Sequence, residues 1–134
     1  VLFRSIYPYA VAGQNCELEF FETADSLGSS LYSQSTDSCE QYQVKCINLF
    51  EFIVENQIEK IDFLKIDCEG EEYSIMNALP DSYYAKIKKI CMEYHLADIK
   101  QKSLDQLIDR LKSFTFIITQ TKTSASMGLL YAYI

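Results

Sequence analysis

The chain has no tryptophan, one histidine, two prolines and four glycines in 134 residues. Each scarcity removes a class of function. A glycosidase-type carboxylate pair would have to build its sugar platforms from tyrosine, of which there are ten. The five cysteines, Cys16, Cys39, Cys46, Cys68 and Cys91, form no CxxC pair, and with His95 as the single histidine no zinc-ligand spacing appears. The glycines form no G-x-G, so the chain carries no glycine-rich phosphate turn. No run approaches the ~18 apolar residues of a membrane span. No basic start leads into an apolar stretch and a small-residue cleavage site.

Positive charge is also short. The net charge is −7, and residues 1–82 hold 15 acidic against 4 basic side chains, whereas residues 83–134 hold 4 against 8. A nucleic-acid footprint needs a basic face, so an acidic domain argues against a phosphate-backbone partner. Lys86, Lys88 and Lys89 could meet a local anion, but read first as a solvated end of an element.

What is present suits one domain, or part of one: 49% of residues are apolar, enough for a core at this length. Cys46, Cys68 and Cys91 sit in apolar runs and read as small core residues. Reduced thiols imply a cytoplasmic setting. The opening "VLFRS" reads like the translation of a sequencing-library adapter and has no initiator Met, so we expect Val1–Ser5 to be an artefact and the natural chain to begin upstream.

Hydrophobic patterning lays out the elements. "IYPYAVAG" (6–13) and "CELEFFE" (16–22) read as two strands that could pair as a hairpin across "GQN". The Ser- and Asp-rich 23–41 reads as a loop, and "YQVKCI" (42–47) as a strand. Asn48, with Glu51 three residues on, predicts a capping box for a helix that buries Leu49, Phe50, Ile53 and Val54 and ends near Asn56. A strand over 60–67, a helix over 71–79 stopped by Pro80 and a strand over 88–96 follow. Ser103, with Gln106, predicts a third helix carrying Leu104, Leu107, Ile108, Leu111 and Phe114 at helical spacing. Strands at 114–121 and 127–134 close the chain as an antiparallel pair. The order β-α-β-α-β-α-β-β after residue 42 predicts a mostly parallel sheet with helices on its faces.

Ligands of such sheets bind beyond the carboxyl ends of the strands. There "IDFLKIDCEGEEYSIM" (61–76) ends its strand in Asp67, Glu69, Glu71 and Glu72 around Gly70, and "CMEYH" (91–95) ends in Glu93 and His95. Glu71 and Glu72 fall in a first helical turn, where the dipole favours carboxylates, and that account suffices for them. Asp67 and Glu69 precede the helix and repel unless a cation, a proton or Lys65 answers them. Lys65 can snorkel from the core or pair with a rim carboxylate such as Glu93. His95 beside Glu93 and opposite Asp67 is a candidate acid–base group. A calcium loop at "DCEGEE" fails the EF-hand spacing.

"IDFLKIDCEGEEYSIMNAL" resembles the signature of the FkbM family of S-adenosylmethionine-dependent methyltransferases, a strand running into a Lys-Ile-Asp-x-Glu-Gly turn and an acidic helix start. "YAVAG", "ELEFF", "LGSSL" and "CMEYH" fall in that family's order, so the resemblance spans residues 6–134. It implies a Rossmann-like class I methyltransferase sheet, mostly parallel with an antiparallel C-terminal strand. The departure lies at the front, where the family's glycine-rich turn and ribose-binding acid are not found. Residues 6–134 therefore resemble the C-terminal part of the domain with its N-terminal strands missing, a fragment expected to be inactive alone.

The resemblance further implies S-adenosylmethionine as cofactor, with Ala10 and Val11 near the adenine and Asp67 facing the methyl donor. Asp67, Glu93 and His95 become the candidate catalytic residues. The implied acceptor is a hydroxyl of a sugar, glycan or natural product. Some similar enzymes hold a divalent metal on acidic residues; Asp67, Glu69 and Glu93 would make an oxygen-only set suited to Mg2+. A non-catalytic interaction domain and a carboxylate-based hydrolase remain the rival readings.

Overall fold

The computed structural model describes residues 4–22 and 40–134. Most of the stretch read as a loop, including "LGSSL", lies outside the described residues. Two sheets form. The first contains β1 (Ala10–Ala12), β2 (Cys16–Glu22) and β3 (Glu40–Asn48) in the order β1-β3-β2. The hairpin expected between β1 and β2 is absent, because both pair with β3: β1 in parallel, with Ala10 opposite Cys46, and β2 antiparallel, with Cys16 opposite Cys46. Asn48 makes this possible. The chain between β1 and β2 passes the end of β3, where the Asn48 amide donates to the Gly13 carbonyl at 2.6 Å and Asn48 N–H donates to Asn15 Oδ1 at 2.7 Å.

Asn48 also starts α1 (Leu49–Glu55), its Oδ1 accepting from Phe50 N–H at 2.8 Å and Glu51 N–H at 3.3 Å. The cap holds but the box does not close. Glu51 instead accepts from the Asn15 amide, and Asn15 takes the Asn48 N–H that a box glutamate would have taken. Ile53 is buried, Leu49 and Phe50 pack on the core, and Val54 faces solvent against expectation.

The second sheet runs β4-β5-β7-β6, from β4 (Leu64–Ile66), β5 (Lys89–Tyr94), β6 (Ile117–Lys122) and β7 (Gly128–Tyr133). Two helices link the parallel pair β4 and β5: α2 (Glu72–Ala78) and a short α3 (Asp81–Tyr84). Pro80 stops α2 as expected but also precedes α3, where its fixed φ suits a helix start. The last helix, α4 (Ala97–Ser113), begins six residues before Ser103, which lies inside it; a kink at Lys100 separates its first turn from the rest. The predicted apolar stripe holds, with Leu104, Leu107 and Leu111 buried and Ile108 and Phe114 packed against them.

The expected mostly parallel sheet with an antiparallel C-terminal strand is present in the second sheet, where β4, β5 and β6 run in one direction and β7 against them, while the first sheet is mixed. Among the described residues two ladders are parallel (β1–β3, β4–β5) and three antiparallel (β2–β3, β5–β7, β6–β7). α4 carries the chain from β5 to β6, which run in the same direction but do not pair because β7 lies between them, so both of their ladders to β7 are antiparallel. The expected antiparallel pairing of the last two strands is present, with β7 inserted between β5 and β6. The strand expected over 60–67 shrinks to three residues plus a bridge from Ile61 to Ile87. Ile66, Ile90, Met92, Tyr94, Leu130 and Ala132 bury one sheet face against Tyr73, Met76, Tyr84 and the α4 leucines. Among the described residues, no helix is long and apolar enough to cross a membrane.

Tyr94 and Gly128 face each other across β5 and β7. A Cβ at Gly128 would overlap the Tyr94 hydroxyl and sit 2.6 Å from the Thr121 carbonyl, so there is space only for hydrogen. Gly128→Ala is expected to cost about 1–3 kcal/mol by overpacking, read as a lower urea midpoint with an unchanged slope.

Candidate active site

The site is built from the carboxyl ends of β4 and β5, which coincide because the strands are adjacent and parallel, with Ile66 opposite Met92. In β4 side chains alternate. Ile66 is buried, while Lys65 projects to the open side and reaches Asp67 two residues on, Nζ to Oδ2 at 3.0 Å. That hydrogen bond and the Asp67 charge raise the Lys65 ammonium above its usual range, with Glu93 a lesser contributor. Both groups are largely exposed, so the pair adds little stability.

After Asp67 the backbone turns sharply. Glu69 adopts φ 51° and Gly70 φ 112°, both positive where ordinary residues are negative. Glu72 holds this turn. Its side chain is fully buried, with Oε1 accepting from Cys68 N–H at 3.1 Å and Gly70 N–H at 3.0 Å. His95 Nδ1 lies 2.9 Å from the same oxygen. Lys100 Nζ donates to the Gly70 carbonyl at 3.0 Å, and the Tyr73 hydroxyl donates to the His95 carbonyl at 2.9 Å. The first turn of α4 thereby clamps the turn before α2.

His95 is 6% exposed, and its Nε2 lies 3.5 Å from Glu69 Oε2. Asp67, Glu69 and His95 each offer one atom to a group in which all lie within 4.8 Å of one another. Glu93 is not part of it. It lies on β5 two residues beyond Cys91, the register partner of Lys65, and stays on the open sheet face. The oxygen-only set behind the Mg2+ expectation is therefore not assembled; a histidine nitrogen stands where the third carboxylate was expected.

Glu71 precedes α2 without capping its backbone and bonds the Ser74 hydroxyl. Ala10 and Val11 are half-buried in β1. The end of β1 does approach α2. A groove of about 640 Å³ is lined by Ala12, Gly13, Glu71 and Ser74 among others. A separate cleft of about 670 Å³ lies at Tyr7, Tyr9, Lys45, Glu51 and Phe52, and none of the rim carboxylates lines it. Of the basic patch, Lys88 pairs with Asp62 at 3.2 Å, and Lys86 lies over the Tyr83 ring at 4.1 Å.

Glu72 is the residue that sequence reasoning passed over. The signal was available: Glu72, Ile75, Met76 and Leu79 fall at i, i+3, i+4 and i+7, so the carboxylate lies on the buried stripe of α2. A charge on an apolar stripe needs a stronger reason than a helix dipole.

Residues 3–118 match the family model described as the methyltransferase FkbM domain. The chain belongs to that family. The match ends within β6, leaving most of that strand and all of β7 beyond it. Comparison with curated proteins and with solved structures found no match.

The turn also sets a local test. Gly70→Ala puts a Cβ on a backbone with φ 112°, and is expected to cost about 1–3 kcal/mol in denaturant unfolding.

Proposed function

We propose that the chain is the later part of an S-adenosylmethionine-dependent O-methyltransferase domain of Rossmann-like class, acting on a hydroxyl of a sugar, glycan or natural product. Family membership supports methyl transfer. The observation that carries the reading to particular residues is the gathering of Asp67, Glu69 and His95 within 4.8 Å at the ends of two adjacent parallel strands.

The donor set fits the cofactor's charge. Two carboxylates on the rim of an acidic chain suit a cationic ligand, and the groove at Ala12, Gly13, Glu71 and Ser74 leads from β1 to the start of α2. When bound, S-adenosylmethionine supplies an electrophilic methyl carbon on a sulfonium. Asp67, held by Lys65, faces that positive end. Ala10 and Val11 line the adenine side by resemblance, and Ala12 and Gly13 extend that side toward α2. His95 Nε2 takes the proton of the acceptor hydroxyl, and the charge the ring gains has Glu72 on one side and Glu69 on the other. Holding the hydroxyl in line supplies a further share of the acceleration. Glu93 keeps a secondary place, acting on the rim through Lys65.

Calorimetric titration with S-adenosylhomocysteine, on a chain carrying the upstream family segment, tests the reading. Binding is expected, and Asp67→Ala is expected to weaken binding of S-adenosylmethionine, whose sulfonium it faces, at least tenfold, about 1.4 kcal/mol, with the fold intact. No heat of binding at millimolar ligand would sink the methyl-transfer proposal and favour a non-catalytic interaction domain.

A further inference from the structure

Glu72 enters the reaction so far only as a charge beside the ring, yet the turn and the histidine both depend on it. We propose that Glu72 is a positioning residue: it fixes His95 as the Nδ1–H tautomer and aims an unprotonated Nε2 at Asp67 and Glu69. The inference deepens the proposed reaction and rests on it for its purpose, though not for its geometry.

Four observations converge. The Glu72 side chain is fully buried, so no water competes for its oxygens. Cys68 N–H and Gly70 N–H donate to Oε1, and Gly70 N–H also reaches Oε2 at 3.1 Å. With backbone donors on both oxygens, the carboxylate meets His95 as an acceptor, and the 2.9 Å contact at Nδ1 requires the imidazole to donate there. A neutral imidazole protonated at Nδ1 has its lone pair at Nε2. The Tyr73 hydroxyl on the His95 carbonyl and the left-handed Leu96, φ 54°, fix the backbone that carries the ring. A hydroxyl approaching Asp67 and Glu69 therefore meets a base and not a second donor. The same logic orients metal-bound and catalytic histidines through an outer carboxylate.

His95 is the chain's only histidine, so a long-range 15N–1H correlation spectrum of 15N-histidine-labelled protein reports on it alone. At a pH where the ring is neutral, the wild type is expected to show Nδ1–H over Nε2–H by about 10:1 or more, a tenfold bias being the yield of one good hydrogen bond. Cys68 N–H, Gly70 N–H and His95 Nδ1 share the one oxygen Oε1, so the contact is tested by removing it in Glu72→Ala. That variant should abolish the tenfold bias toward Nδ1–H. Glu69→Gln changes a contact on the other side of the ring and should leave Nδ1–H dominant.

A wild-type spectrum dominated by Nε2–H, or averaged between tautomers, overturns the proposal; it needs no variant and so survives a Glu72→Ala protein that fails to fold. A folded Glu72→Ala that retains the Nδ1–H bias, or a Glu69→Gln that removes it equally, also overturns it. Failed S-adenosylhomocysteine binding with a normal wild-type spectrum would remove the methyl-transfer reading and leave the positioning role standing. Binding with the wrong tautomer would do the reverse.

Discussion

The structure around the site depends on one buried carboxylate. Taking a glutamate out of water costs several kcal/mol unless its oxygens are answered. Glu72 is answered by two backbone N–H groups and an imidazole, and each partner is itself constrained by the bond. The turn after β4 must bring Cys68 and Gly70 N–H groups inward together, and it does so with Glu69 and Gly70 at positive φ. Glycine meets that demand cheaply and glutamate does not. The strain at Glu69 sits where its carboxylate faces Nε2 of His95, so the backbone that satisfies Glu72 also delivers Glu69 to the rim.

The same constraint explains the lysine inside an apolar strand. In "FLKID" the side chains alternate, so Leu64 and Ile66 turn toward the core while Lys65 and Asp67 share the open side. A two-residue spacing within one strand makes their contact a local event that needs no tertiary coincidence. Lys65 thus answers Asp67 while Glu72 answers the turn, and four crowded carboxylates are divided among different partners. Only Asp67 and Glu69 remain toward the rim.

Patterns with a short physical range were legible in the sequence. The helix at Leu49 with its Asn48 cap, the α4 stripe and the antiparallel end strands all follow from neighbours within about one turn or one hairpin. Asp67 and His95 were legible as rim residues because strand ends converge wherever parallel strands are adjacent. The failures share a longer range. Glu51 lost its box role to Asn15, which the sequence places 36 residues away. β1 and β2 are separated by three residues, yet β3 comes between them. Whether Glu93 or His95 joined Asp67 depended on the chain leaving β5 after Tyr94, with Leu96 in a left-handed conformation that no propensity of leucine announces.

His95 suits the third place better than Glu93 on electrostatic grounds. A third carboxylate beside Asp67 and Glu69 would add repulsion that only a cation could relieve. An imidazole adds none while neutral, and when it takes a proton its new charge lies between Glu72 at 2.9 Å and Glu69 at 3.5 Å. Glu72 and Glu69 thus flank the ring from opposite sides. That property belongs to the arrangement and not to the histidine: an imidazole at the same position with its Nδ1 facing a neutral carbonyl would have a fixed tautomer but no charge behind it. The buried glutamate supplies both the direction of the lone pair and the counter-charge, which is why its place on the apolar stripe of α2 matters more to the site than the exposed carboxylates that first draw the eye.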